Sequence, residues 1–276
     1  MRTMSTLTSN TPAPPKPSLL PLLNRALKGP IQALQEYSLL VGDSIVKACT
    51  PPIYFSDVLE QMDVIGVGSL PIIVLTGFFI GGVMVLNTAA QFQQFGSTAL
   101  IANAVSIGLV RELGPFIAAL LVTGRNGSGI ASELGSMVVT EQVDAMRALG
   151  TDPVRKLVVP RVLATFIVLP LLTAVTDLVG LFGGFAMARF QLGITAVEYW
   201  HRSVTALASG DLIQGIVKPL VFAIIISTIG CFHGLRAHGG TQGVGRATTS
   251  AVVAGSIAVI IVDLFLGKLL LYYFVS

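Results

Sequence analysis

The sequence predicts an all-α integral membrane protein, and three observations carry that prediction. The 276 residues are 53% hydrophobic and only 11% charged, with a mean hydropathy of +0.80, whereas soluble domains carry roughly a quarter charged residues. Five apolar windows, at about 64–90, 100–124, 157–188, 212–234 and 249–275, are each long enough to cross a hydrocarbon core of ~30 Å. The basic residues are also sorted. With the N-terminus in the cytoplasm, Arg2, Lys16, Arg25, Lys28, Lys47, Arg125, Arg147, Arg155, Lys156, Arg161, Arg236 and Arg246 fall inside. The outer loops then keep Arg189 and Arg202, and the expected topology is N-in, C-out.

Residues 1–30, with TSNTPAPPKP at their centre, are polar and Pro-rich, with no apolar core of signal-peptide length. They are expected to form a disordered cytoplasmic tail. From 31 to 50, Ile31, Leu34, Val41, Ile45 and Ala48 recur at roughly helical spacing among Gln32, Gln35, Glu36, Asp43 and Lys47. This pattern suits an amphipathic helix lying in the membrane interface, and equally a helix packed on the protein, since Leu39 and Leu40 widen the stripe. The remainder, 51–276, is read as one five-span domain. The first span is glycine-rich. Gly77 and Gly81 form a small-xxx-small pair that permits close approach of another helix, although glycine there also fits a bend.

Between the second and third spans the chain turns polar. In TEQVDAMRALGTDPVRK, Thr140 is placed to cap a short helix of about 140–149. Glu141 and Asp144 lie in its first turn, Arg147 in its last, and Gly150 ends it before Asp152-Pro153. Its apolar side, Val143, Met146 and Leu149, either folds back on the membrane domain or plugs into a partner. The last inner loop, HGLRAHGGTQGVGRATTS, either contacts a cytoplasmic partner beside the short helix or, as the better reading, is a flexible turn between spans four and five.

Charges within the spans are costly, at ~2.5–3.5 kcal/mol each near mid-membrane unless paired or hydrated. Arg111 and Glu112 precede a Gly114-Pro115 kink in span two, Asp263 sits near the middle of span five, and Asp177 and Lys218 lie nearer the outer boundary. Arg111 is expected to pair with Asp263 or Glu112, either lining a pocket near a lipid headgroup or locking spans two and five. At the outer end of span one, Asn87, Gln91, Phe92, Gln94 and Phe95 alternate amide and aromatic groups, which suits headgroup contact or interfacial anchoring.

Other chemistries find no support in the residues. His201, His233 and His238 are dispersed without metal-ligand spacing, Cys49 and Cys231 suggest neither disulfide nor metal site, and no Ser/His/Asp set is evident. The net charge of +3 is spread over loops, which argues against nucleic-acid binding. GRNGSG lacks the Lys-Ser/Thr ending of a phosphate loop, so no ATP binding by this chain, no catalytic residue and no cofactor of its own are expected.

The run RELGPFIAALLVTGRNGSGIASELGSMVVTEQVDAMRALGTDPVRKLVVPR resembles the hallmark region of the MlaE/YrbE family, permease subunits of ABC transporters that work with MCE-domain lipid-binding proteins. The resemblance reaches from the 31–50 helix to the C-terminus, including GVGRATTSAVVAGSIAVIIVDLFL. It implies a homodimer of five-span subunits in a bacterial inner membrane, each seated through its short helix on a cytoplasmic ATPase that uses ATP and Mg. It further implies a lipid pocket opening toward a periplasmic MCE-domain protein, with room for a small cytoplasmic accessory subunit. The cargo would be a phospholipid or a related hydrophobic molecule, moved so as to maintain outer-membrane lipid asymmetry. On this chain the implied coupling residues are Thr140, Glu141, Gln142, Asp144 and Arg147, and the pocket candidates are Arg111, Glu112, Asp263, Asn87, Gln91 and Phe92. Two rival readings are an ion-gradient-driven secondary transporter relaying charge through Arg111, Glu112 and Asp263, and a membrane scaffold that transports nothing.

Overall fold

The computed structural model describes residues 19–92 and 99–275, and every described element is helical. Residues 1–18 of the expected tail, together with Gln94 and Phe95, lie outside the described residues. The chain divides into two units at Leu39/Leu40. The first contains the start of α1 (Leu19–Ala48), a helix that begins well ahead of Ile31 and exposes Ile31, Leu34 and Leu39. Among the described residues, five helices are long and apolar enough to span a membrane, and all of them lie in the second unit, from Leu40 onward.

Those spans run Phe55–Phe92, Leu100–Val139, Val154–Leu192, Ser209–Leu235 and Gly240–Tyr273. Helices are the expected solution because a bilayer core offers no partner for a free backbone N–H or C=O. Span one is a single helix, α2 (Phe55–Phe92), with Pro71 inside it. Span three is α7 (Val159–Leu192). The two lie together along glycine faces, as the Gly77/Gly81 pair predicts. A Cβ on Gly77 would sit 3.0 Å from the Thr176 carbonyl oxygen, while one on Gly81 would run into the Gly180 carbonyl and one on Gly183 into that of Phe78. Ile65 and Ile73 of α2 and Leu169 and Leu172 of α7 join Phe222 and Ile226 in the main core.

Span two is longer and less regular than its apolar window suggests. It comprises α3 (Ala99–Gly108), α4 (Gly114–Val122) and α5 (Ser128–Val139), joined by π-helical turns at Leu109–Leu113 and Thr123–Gly127. Helix continues past residue 124 because Ile130, Ala131 and Leu134 are buried, with α5 packed on α9 (Ser209–Leu235) and α10 (Gly240–Val275). A third π turn, Val154–Val158, opens span three. Between spans two and three stands α6 (Gln142–Ala148), and between spans three and four a helix the hydropathy did not signal, α8 (Ala196–Ala206).

Two expectations about segment ends are corrected. Thr140 terminates α5 and does not cap α6: its hydroxyl donates to the Ser136 carbonyl at 2.8 Å, and Glu141, in the left-handed region at φ 61°, begins α6 without a side-chain cap. The Gly-rich segment before the last span is also mostly helix. Only Arg236–Gly239 turns the chain, with Gly239 and Gly240 at φ 87° and 70°, and α10 then starts at once.

Candidate functional site

Three groups of residues carry chemistry. The first is a groove of about 500 Å³ along an exposed face of α2, apolar along Leu75, Phe79 and Val83 and ending at Asn87, Thr88 and Gln91, with Leu113 at its edge. Two of the predicted amides therefore meet in one cleft. Phe92 does not join them and packs instead on the cluster around Val85, Ala188 and Tyr199.

The second group is a charged layer between the π turn Leu109–Leu113 and α9. The predicted pairing of Arg111 is corrected here: its Nε donates to Asp211, not to Asp263 or Glu112. Asp211 is buried and also accepts the Ala208 N–H at 2.9 Å, so its carboxylate satisfies a free backbone donor at the start of α9. Glu112 and Asp263 are instead joined through Lys218, whose buried ammonium donates to Glu112 and lies 3.2 Å from Asp263 Oδ1. One ammonium thus serves two carboxylates, which makes its burial affordable. Glu112, Asp263, Phe116 and Lys268 line a second cleft of about 420 Å³. Gln214, fully buried on the same face of α9, has no hydrogen-bond partner for either end of its amide among the described residues. The signal for this layer was the i, i+3, i+7 spacing of Asp211, Gln214 and Lys218 on one helix face, legible only once α9 is known to face the π turn.

A smaller polar knot holds the second π turn to α2. Arg125 Nη1 donates to the Val64 carbonyl (3.2 Å), Ser69 Oγ (3.1 Å) and Asn126 Oδ1 (3.0 Å), and buried Asn126 Nδ2 donates to the Ile65 carbonyl (3.3 Å) and Ser69 Oγ (3.1 Å).

The third group surrounds α6. Val143 is buried and Met146 packs beside it against the Leu134–Val158 cluster, while Leu149 stays 83% exposed next to the polar face. On that face Arg147 pairs with Asp144 at 2.9 Å, and Gln142 Nε2 donates to Thr140 Oγ1 at 3.0 Å. Gly150 (φ 77°) ends the helix, its N–H bonded to the Arg147 carbonyl and that of Thr151 to the Met146 carbonyl.

The chain returning from α6 is tied down through Asp152, Arg155, Lys156 and Arg161. Lys47 bridges Asp152 at 2.5 Å and Asp43 at 2.6 Å. Burial alone would lower the Lys47 pKa and raise that of Asp152. Burial is the largest single influence on each, but the hydrogen bond between them, the attraction of their charges, Asp43 on the lysine and the Val154 N–H on the carboxylate together outweigh it, so Lys47 lies above its ordinary value and Asp152 below. Arg155 donates to the Pro51 carbonyl (2.7 Å) and Thr50 Oγ1 (3.4 Å). Lys156 pairs with Asp57 (2.5 Å) and lies 4.2 Å from the centre of the Tyr54 ring. Buried Arg161 reaches back to Glu133 (2.8 Å) and donates to the Leu157 carbonyl (2.6 Å).

Among the described residues, no group of three His, Cys, Asp or Glu side chains converges as a metal site. Comparison with known proteins gives a consistent picture. The family model for Permease MlaE matches residues 58–269. A protein of Rickettsia typhi named as a probable ABC transporter permease is 42% identical over 234 residues, covering 85% of this chain and 89% of that one. A protein of the same description from Synechocystis is 40% identical over 212 residues, covering 77% and 81%. The intermembrane phospholipid transport system permease protein MlaE of Haemophilus influenzae is 33% identical over 218 residues, covering 79% and 84%.

Proposed function

Since the chain belongs to the MlaE permease family, we propose that it is the membrane-spanning subunit of an ABC transporter for phospholipid or a related amphiphile, working as a homodimer in a bacterial inner membrane. The observation that carries the cargo assignment is the α2 groove. Its wall is apolar from Leu75 to Val83 and ends in two amides and a hydroxyl, Asn87, Gln91 and Thr88, a division that suits acyl chains below and a polar headgroup above. The Haemophilus relative is named for phospholipid transport, which supports the same reading.

In this reading α6 faces the cytoplasm and docks on a separate ATPase, offering Leu149 as an apolar contact and Glu141, Gln142, Asp144 and Arg147 as its polar surround. The partner hydrolyses ATP with its own Mg, and a periplasmic MCE-domain protein exchanges lipid at the opposite end, so that outer-membrane lipid asymmetry is maintained. Glu112 and Asp263, tied to buried Lys218, line a separate cleft and fasten spans two, four and five to one another.

The test is co-purification followed by reconstitution. The chain should carry an ATPase and an MCE-domain protein with it, and the complex in liposomes should transfer labelled phospholipid when ATP is supplied. Lipid movement that follows an ion gradient and ignores ATP would replace this reading with that of a secondary transporter.

A further inference from the structure

The ties around Asp152, Arg155 and Lys156 are directed, and their direction suggests how movement of α6 reaches the groove. All three side chains leave the return arm of α6 and end on one short stretch of chain, from Lys47 in the last turn of α1 to Asp57 in the first turn of α2. Their chemistry differs at each point: an ion pair, a guanidinium on a backbone carbonyl, and an ammonium shared by a carboxylate and an aromatic face. The charges on α6 itself are spent on each other, Arg147 with Asp144. The stretch they hold opens directly into α2, a single helix of 38 residues, roughly 57 Å at 1.5 Å per residue, whose far half is the wall of the groove.

We propose that the return arm Asp152–Lys156 is a transmission clamp: it fastens α6 to the base of α2, so that displacement of α6 moves the groove wall. Arg155 is its central positioning residue, because it alone of the three grips backbone, the Pro51 carbonyl, an acceptor that has no side-chain rotamer of its own. Glu133 and Arg161 brace the other side by joining α5 to α7, so the two arms flanking α6 move as one piece. Among the described ion pairs and side-chain hydrogen bonds, those that reach the stretch from Lys47 to Asp57 from elsewhere in the fold come from the return arm and not from α5, which makes the return arm the route. This inference rests on the permease reading and adds to it the path by which hydrolysis is converted into movement.

The experiment measures ATP hydrolysis and labelled-phospholipid transfer side by side, in the full complex reconstituted into liposomes. Arg155→Ala with Lys156→Ala should leave hydrolysis near the wild-type rate while transfer per ATP falls about tenfold, within the span of measured site-to-site couplings. The reciprocal exchange Asp57→Lys with Lys156→Asp keeps both charges and should restore most of the coupling lost in Lys156→Asp alone. It also decides the matter where the double alanine variant assembles poorly. Transfer per ATP unchanged in the alanine variant overturns the clamp, and so does a parallel loss of hydrolysis and transfer that the exchange fails to rescue, since both describe a staple or a docking defect. Failure of the permease reading is distinguishable, because there the wild-type complex itself moves no lipid on ATP.

Discussion

Gly81→Ala is the sharpest probe of how the two long spans are held. The added methyl would meet the carbonyl of Gly180, a backbone atom that no rotamer change can move aside. The flanking contacts are also tight: Gly183 lies against the Phe78 carbonyl, and a Cβ on Gly77 would come within 3.0 Å of the Thr176 carbonyl oxygen. To admit one carbon, α2 and α7 must part by roughly 1–2 Å at the crossing, and a gap of that order forfeits a quarter to a half or more of each dispersion contact beside it. With Ile73, Leu169 and Leu172 packed alongside, we expect a loss of about 2–3 kcal/mol, at the upper end of overpacking penalties. That corresponds to a melting temperature lower by roughly 5–10 °C for a chain of this size. The matched control is Gly129→Ala on α5, where nothing lies within 4 Å of the new Cβ. There the gain in helix propensity should leave stability unchanged or raised by up to about 1 kcal/mol. Thermal unfolding of the detergent-purified protein, followed by aggregation-coupled fluorescence, reads both. If Gly81→Ala melted with the wild type, the backbone-to-backbone crossing described here would be wrong.

Lys218→Met strands Glu112 and Asp263 without their shared cation and should cost about 3–5 kcal/mol, seen as loss of folded protein; adding Glu112→Gln and Asp263→Asn should recover the yield, and a triple variant as poor as the single one would refute the pairing. Val83→Trp fills the apolar wall of the groove and should lower co-purified phospholipid ~10-fold, equivalent to ~1.4 kcal/mol of binding, with the ATPase still attached; undiminished lipid by mass spectrometry would remove the groove from the path. The Lys47–Asp152 tie should not titrate near neutrality. Asp152, lowered, supports the fold above the ordinary carboxylate range and loses its effect as pH falls through its depressed value, while Lys47, raised, loses its effect only as pH climbs past its elevated one. Transfer per ATP should therefore show no Asp152-dependent step between about pH 5 and pH 9. A midpoint in that window which Asp152→Asn abolishes would contradict the assignment.

The five spans were legible because hydropathy and length fix them in a solvent that forbids open backbone. Their ends were less so. SGIASELGSMVV looks polar enough to leave the membrane domain, yet Ile130 and Leu134 are buried, so α5 extends and Thr140 becomes its terminator. GTQGVGRATTS looks like a loop by composition but is the first part of α10, packed beside α5 and α9. The charged residues were individually visible, and their partners were not. Arg111 finds Asp211 a hundred positions away, and nothing in local spacing says which face of α9 meets which turn of span two. Asn87 and Gln91 could be placed together because both lie on one helix, where i and i+4 share a face whatever the surroundings. The α6 contacts divide in the same way: the Asp144–Arg147 pair is local, whereas the ties from Asp152, Arg155 and Lys156 cross about a hundred residues of chain.

The π turns bear on how this chain tolerates insertion and deletion. Each holds one residue more than an α-helix would use for the same rise, which rotates everything on one side of it by about 100° relative to the other. Arg111 and Arg125 both sit on such turns, 14 positions apart. The directions in which their side chains leave the helix are therefore set by counting residues as much as by residue type. Removing Val110 from this turn would restore a regular helix and swing Arg111 away from Asp211. In this span the length of the chain is itself a piece of information, and a frame-preserving deletion of one codon would be more damaging than most substitutions.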